Sequence, residues 1–195
     1  MLSVSVIIPT FNSSRLLREC LGSIRGQDYP QELIEIIVVD GGSTDETLKM
    51  AGPFNCRVMN FPKEKDNPEK RKALGVLSAG KDVIAFIDSD NILPHKGWLT
   101  RMMVPFSLNG RITGVSPLRY HYDRKDSPLN RYFSLFGVND PVAYYLNKRD
   151  RFSWTENKWN LLGRAVDKGD YFEIEFPDEN IPTLGANGFL VKREL

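Results

Sequence analysis

The chain has 195 residues, 41% of them hydrophobic and 26% charged, the composition of one folded domain rather than of a disordered tail. Lys plus Arg number 26 and Asp plus Glu 25, a net charge of +1, so no nucleic-acid partner is expected, because such binders carry a strongly basic face. No apolar run approaches the ~18–20 residues that cross a bilayer, and no charged-then-apolar leader opens the sequence.

The two cysteines, Cys20 and Cys56, fall in apolar-periodic stretches and read as buried thiols, not as a disulfide framework or zinc site. With the missing leader they favour a cytoplasmic location. The only histidines, His95 and His121, are too far apart for most metal-ligand patterns.

The first hundred residues alternate strand and helix signals. Ser3 to Pro9 is β-branched and runs into a turn, and Ser13 or Ser14 is placed to cap a helix in which Leu16, Leu17, Cys20, Leu21 and Ile24 recur at helical spacing. Gly26 and Pro30 stop it. Leu33 to Val39 is a near-continuous apolar run, which predicts a strand buried on both faces. Ser43 with Glu46 has the spacing of a capping box opening a short helix through Met50. A third strand is expected over Cys56 to Phe61, then a helix opened by Asn67-Pro68 and closed by Gly80. Asp82 to Ile87 reads as a fourth strand and Trp98 to Leu108 as a further helix. Such alternation implies an α/β fold whose mostly parallel sheet is flanked by helices.

Beyond about residue 118 the composition changes. Of the 21 aromatic residues, 13 lie between Tyr120 and Phe176. Periodicity there is poor, so an irregular, aromatic-rich insertion is expected. The whole of 1–195 is read as a single domain, with a subdomain border near residue 118 separating 1–118 from 119–195.

Open α/β sheets bind ligands at the carboxyl ends of their strands, which directs attention to Thr10-Phe11-Asn12, Asp40-Gly41-Gly42 and Asp88-Ser89-Asp90. Two carboxylates one residue apart can face one hard cation, and that cation would neutralise a departing diphosphate. In isolation the same pair also serves as Asx-turns before Pro94. Asp40 could accept hydrogen bonds from a base or ribose, or could simply open an Asp-Gly turn. Asp45 reads as an acid in a first helical turn. Arg71 or Lys72 could reach phosphate or base, although a run of cations is usually a solvated face, and Glu64, Asp66 and Glu69 nearby fit that reading too. GxGxxG and GxxxxGK[ST] loops are missing, Gly114-Val115-Ser116-Pro117 lacks the second glycine of a nucleophile elbow, and neither cysteine has a paired histidine.

Four segments occur in order: SVSVIIPTFN (Ser3–Asn12), QDYP (Gln27–Pro30), IIVVDGGSTDET (Ile36–Thr47) and IAFIDSDN (Ile84–Asn91). Together they resemble the nucleotide-binding half of family 2 glycosyltransferases, which have the Rossmann-like GT-A fold. The resemblance covers residues 3 to about 100 and resumes at Gly185-Ala186-Asn187-Gly188-Phe189, which is similar to the family's glycine-asparagine strand beside the donor sugar.

It implies that the backbone around Pro9 and Thr10 lines the nucleoside pocket and that Asp40 binds the base, usually uracil. Lys72, with Arg71 as runner-up, would be the basic residue near the donor. Asp88, Ser89 and Asp90 form the family's DXD motif: Asp88 and Asp90 would hold the ribose and a Mn²⁺ or Mg²⁺ on the diphosphate, with Asp90 the principal metal ligand. Asn187 and Gly188 would lie beside the donor sugar, and Trp154 and Trp159 are candidates to stack on a sugar or lipid.

The function implied is metal-dependent, inverting transfer from a nucleoside-diphosphate sugar, UDP-linked first, to a glycan or lipid-linked acceptor, with peripheral association at the cytoplasmic face of a membrane left open. The family has a second carboxylate where this chain has Gly41. Its catalytic base is an acidic residue some tens of residues beyond the glycine-asparagine strand, so the base is expected beyond Leu195 and the chain reads as a fragment; Asp178, Glu179 and Glu194 do not match it. A non-catalytic nucleotide-sugar-binding module is the first alternative. A nucleotidyltransferase is the second, though Thr10-Phe11-Asn12-Ser13 is neither glycine-rich nor basic.

Overall fold

The computed structural model describes residues 1–61, 67–146, 149, 151–157, 159, 163–176 and 187–194. Glu64, Asp66, Asp178, Glu179, Gly185 and Ala186 lie outside the described residues. The chain divides into two compact units, Met1–Ser116 with Ala186–Leu195, and Pro117–Gly185.

The first unit is built on a six-stranded sheet. Its strands are β1 (Val4–Thr10), β2 (Ile34–Asp40), β3 (Arg57–Asn60), β4 (Val83–Phe86), β5 (Gly114–Val115) and, from the far end of the sequence, β8 (Leu190–Lys192), in the spatial order β3-β2-β1-β4-β8-β5. The first four strands are parallel, with Thr10 opposite Asp40 and Ile7 opposite Phe86. β8 runs antiparallel between β4 and β5. The sheet is therefore mixed but mostly parallel, as the β–α alternation predicts for its first four strands.

All seven residues of β1 are buried, because both faces of the sheet are covered. Val4, Val6 and Ile8 join a core with Leu17, Cys20, Leu21 and Ile24 of helix α1 (Ser14–Arg25) and with Leu99, Met102, Met103 and Phe106 of helix α4 (Trp98–Leu108). Each such side chain removed from water contributes about 1.5–3 kcal/mol. On the other face, helix α3 (Pro68–Ser78) passes over Ile7 at Gly75, where an added Cβ would lie only 2.4 Å from Ile7 Cγ2. Asn67 caps α3, its side chain accepting from the Glu69 amide at 2.8 Å, with Pro68 in the first turn.

Two local expectations are corrected. Leu16 falls on the solvent side of α1 and is 38% exposed, whereas Leu17, Cys20, Leu21 and Ile24 are buried. The Ser43–Glu46 capping box does not form, and helix α2 spans only Thr47–Ala51. The Ser43 hydroxyl instead donates to Asp40 and accepts from the Asn12 amide. Asp45 takes over at the helix start, accepting from the Thr47 amide at 3.0 Å and from the Thr47 hydroxyl.

The second unit holds helix α5 (Pro128–Phe136), helix α6 (Pro141–Tyr145) and a hairpin of β6 (Arg164–Asp167) with β7 (Phe172–Glu175). These short pieces are why a long-window periodicity is missing. Tyr132 and Phe136 of α5 meet Tyr144 of α6, with ring centroids 6.4 and 4.9 Å from it. Gly137 ends α5 with φ +68°, and any side chain there would strike the Arg151 carbonyl at 2.5 Å.

Candidate functional site

The chain leaves β1 toward β2 and β3 on one side and returns to β4 on the other. The crevice at the carboxyl ends of β1 and β4 is thus a topological switch point, where open α/β sheets take their ligands. The loops after β1, β2 and β4 all reach this rim, and so does the turn into β8.

After β4 the chain makes a tight turn, the Asn91 amide donating to the Asp88 carbonyl at 3.0 Å. Lys72 of α3 places its ammonium 3.6 Å from Asp88 Oδ1 and 3.1 Å from Glu69 Oε1, with its side chain only 12% exposed. Burial pushes the Asp88 carboxyl above the usual carboxylate range; Lys72 opposes that shift and the neighbouring Asp90 adds to it. Asp90 is exposed, and its Oδ1 accepts from Asn91 Nδ2 at 2.9 Å. Ser89 is buried, its hydroxyl 2.9 Å from that of Ser13 across the crevice.

From 99 residues further on, Asn187 Oδ1 accepts the Asp88 amide at 3.2 Å. Gly188, with φ +75°, donates its amide to the Phe86 carbonyl at 2.8 Å. Antiparallel pairing of β8 on β4 produces this juxtaposition, because it drives the residues just before β8 onto the end of β4.

On the other flank, Asp40 is buried and its carboxylate accepts from the Gly42 amide at 2.9 Å, the Ser43 amide at 2.8 Å and the Ser43 hydroxyl. Gly42 takes φ +88° to close this turn. Pro9 lies within β1 opposite Val39. The Thr10 carbonyl accepts from the Gly41 amide and from the buried Arg71 guanidinium. Thr10 Oγ1 is buried without a hydrogen-bond partner among the described residues.

The neighbours Arg71 and Lys72 thus diverge. Arg71 turns inward to the end of β1, and Lys72 turns to the carboxylates. Trp154 and Trp159 belong to the second unit. Trp154 is 52% exposed with the Arg119 guanidinium 4.6 Å from its ring, and Trp159 packs against Phe152 at 5.4 Å.

One set of contacts joins residues that carry no shared motif in the sequence. The loops after β1 and β2 are laced together by Asn12, Ser43, Asp45 and Thr47. The Asn12 amide donates to Ser43 Oγ at 2.8 Å, the Thr44 amide to Asn12 Oδ1 at 2.9 Å, the Ser13 amide to Thr47 Oγ1 at 2.8 Å, and the Ser14 amide to Asp45 Oδ2 at 3.2 Å. Hydrogen bonds to Asp45 itself, the Thr47 hydroxyl first and then those from Ser14 and the Thr47 amide, pull its carboxyl down from an ordinary 3.8 to about 2. The density of Ser, Thr, Asn and Asp over two strand-end loops was the available signal. Their pairing across sequence was not in it.

A family model described as glycosyl transferase family 2 matches residues 5–168. The chain belongs to that family. Among curated relatives of this family 2 chain, glycosyltransferase AglE of Haloferax volcanii is 30% identical over 151 residues, covering 75% of this chain and 49% of AglE. The family 2 chain therefore spans about half of that relative's length. Among solved structures, Staphylococcus aureus TarS in complex with UDP-GlcNAc superposes with a TM-score of 0.58 at 26% identity, covering 65% of this chain and 37% of the other. A mannosyltransferase of Pyrobaculum calidifontis, solved with GDP-Man and Mn²⁺, shares the fold at TM-score 0.56 and 23% identity, covering 69% of this chain and 39% of that one. No helix among the described residues is long and apolar enough to cross a membrane.

Proposed function

We propose that this chain forms the donor-binding part of an inverting glycosyltransferase that takes a sugar from a nucleoside diphosphate, UDP first. The observation that carries the reading is the meeting of Asp88, Asp90, Lys72 and Asn187 at the switch point between β1 and β4. One ammonium, two carboxylates and an amide from three distant segments suit a charged diphosphate ligand. The likeness to TarS, solved with UDP-GlcNAc, supports a nucleotide-sugar donor and a uracil base.

The residues fit a divalent cation of the Mg²⁺ or Mn²⁺ kind. Among the described residues no group of three or more His, Cys, Asp or Glu side chains is gathered to hold a metal, and a complete protein cage is not what such an ion needs here. One or two carboxylates are enough when diphosphate oxygens and water fill the remaining positions. Asp88 is partly desolvated and repelled by Asp90, a condition that a shared cation relieves. Asp90, more exposed, would be the principal ligand, with Asp88 assisting. The bound ion would offset negative charge on the leaving diphosphate.

The other roles follow from placement. Lys72 adds a second positive charge, aimed at the diphosphate from α3. Asp40, which already accepts three hydrogen bonds in its own turn, would use its remaining lone pair on a base N–H, with the backbone of Pro9 and Thr10 lining the nucleoside side. Asn187 and Gly188 lie on the sugar side of the diphosphate. Trp154 and Trp159, with the aromatic second unit, are assigned to a glycan or lipid-linked acceptor.

Calorimetric titration of UDP into the chain, first with Mn²⁺ and then with EDTA, tests this reading. Binding that is strengthened by the cation and lost with Asp90→Ala is the expected result. If neither UDP nor GDP binds under either condition, the assignment fails. Slow release of UDP from a UDP-sugar would favour the enzyme over a non-catalytic binding module.

A further inference from the structure

The QDYP segment (Gln27–Pro30) follows α1 directly and contributes no side chain to the donor site. Tyr29 uses its hydroxyl on the Leu2 carbonyl, a structural tie. Gln27 is different. It is only 6% exposed, and both ends of its amide are engaged. Nε2 donates to the Ser23 carbonyl and to the His95 carbonyl, each at 3.0 Å, while Oε1 accepts the Leu99 amide at 2.8 Å. The Leu99 amide is one of the orphan donors at the start of α4, where Gly97 provides no side-chain cap. Gln27 thus fixes α4 and the loop entering it to the end of α1.

The same face of α1 continues under the rest of that loop. Ser23 Oγ accepts the Leu93 amide at 3.0 Å, and Cys20 Sγ lies 3.7 Å from the Asp88 carbonyl. The Asp28 amide donates to the Lys96 carbonyl at 2.9 Å, and the Thr100 hydroxyl to the Asp28 carbonyl at 2.7 Å. Cys20 and Ser23 lie three apart on one face of α1, and Gln27 follows two residues past the helix end at Arg25. Between Asp88 and Lys96 the loop is therefore pinned at its start and middle by α1 and at its end by the residues that follow α1 directly. Asp90, exposed and bonded only to its neighbour Asn91 among the described contacts, has its position set by this backbone.

We propose that Gln27 is a positioning residue for the Asp88-Ser89-Asp90 turn: by bridging α1, the His95 carbonyl and the α4 amide, it holds both carboxylates where a cation and a diphosphate can share them. Gln27 touches neither ligand: its side-chain bonds go to Ser23, His95 and Leu99 and not to either carboxylate. Glutamine is required for the arrangement, since two carbonyls demand a donor and one amide demands an acceptor. A carboxylate of the same shape would face both carbonyls with no hydrogen to give.

The inference rests on the donor-site reading, and its test separates the two. Gln27→Glu and Gln27→Met are made in the full chain, with Ser23→Ala as a milder variant that keeps the fold if the others lose it. Hydrogen exchange on the ligand-free protein comes first. The amides of Leu93 and Leu99 should exchange at least tenfold faster in the Gln27 variants, that of Leu93 in Ser23→Ala, with β1 and β2 unchanged. UDP titrations follow. Affinity measured with Mn²⁺ should fall tenfold or more toward the value in EDTA, while the value in EDTA stays within about twofold of the parent. Unchanged exchange overturns the proposal, as does an affinity loss that is equal with and without the cation. If the unmodified chain binds no UDP at all, the donor reading falls and the exchange experiment alone decides for or against Gln27 as the support of this loop.

Discussion

Replacing Gly75 by alanine asks whether the approach of α3 to the sheet is as close as the geometry requires. On helix propensity alone the change should stabilise by about 1 kcal/mol. The new methyl, however, would lie 2.4 Å from Ile7 Cγ2 and 3.2 and 3.3 Å from Cγ1 and Cδ1. Carbon atoms rest comfortably at about 3.5–4.0 Å, so roughly 1 Å must be found. Ile7 is fully buried in the central strand, hydrogen-bonded between β2 and β4, and cannot yield. Overpacking of this kind costs about 1–3 kcal/mol, and a rigid neighbour argues for the upper end. The net expectation is a loss of about 1–2 kcal/mol, read as a fall in urea midpoint at constant slope or a drop of about 2–4 °C in Tm per kcal/mol. Ile7→Ala alone should cost about 2–5 kcal/mol. In the double variant the added methyl refills part of that space, so the two changes should offset each other by at least about 1 kcal/mol. UDP affinity should fall as well, because Arg71 and Lys72 sit one turn earlier on the displaced helix. A neutral or stabilising Gly75→Ala, or strict additivity with Ile7→Ala, would refute the reasoning.

Two further outcomes are expected. Lys72→Met should weaken UDP binding in the presence of Mn²⁺ by about tenfold, or ~1.4 kcal/mol, with little change in Tm; an unchanged Kd would remove Lys72 from the donor site. The Asp45 carboxyl is held down at about 2 against an ordinary 3.8. Its contribution to stability is therefore complete above the higher value and is lost as pH falls toward the lower one. Asp45→Asn should accordingly lower the urea midpoint at pH 6 and do so much less at pH 2.5; an equal effect at both would show that the charge is not what counts.

What the sequence revealed depended on whether a signal was local. The helix over Trp98–Leu108 and the Asn67-Pro68 start of α3 follow from short-range rules, and both are found where those rules put them. Apolar strands buried on both faces announced themselves in the same way. Ser43 and Glu46 satisfy a local pattern equally well, yet the serine is drawn to Asp40 and Asn12, partners that only the adjacency of β1 and β2 supplies. Arg71 and Lys72 are a comparable case. Two adjacent cations look alike in one dimension, but a turn of about 100° on α3 sends one to the Thr10 carbonyl and the other to Asp88. β5 and β8, of two and three residues, carry no readable period, and the antiparallel entry of β8 beside β4 runs against the pattern of everything before it.

That late strand has a consequence for how the molecule is assembled. The bond between the Asp88 amide and Asn187 closes a loop of 99 residues, an entropic charge of roughly 4 kcal/mol beyond a length-independent constant. Among the described residues, β5 joins the sheet only through β8. During synthesis the four parallel strands can pair as they leave the ribosome, while one edge of the sheet stays open and the donor rim lacks its asparagine until residues 187–192 emerge. Folding of the nascent chain should thus proceed in two stages, with exposure to aggregation or proteolysis concentrated in the interval before β8 docks.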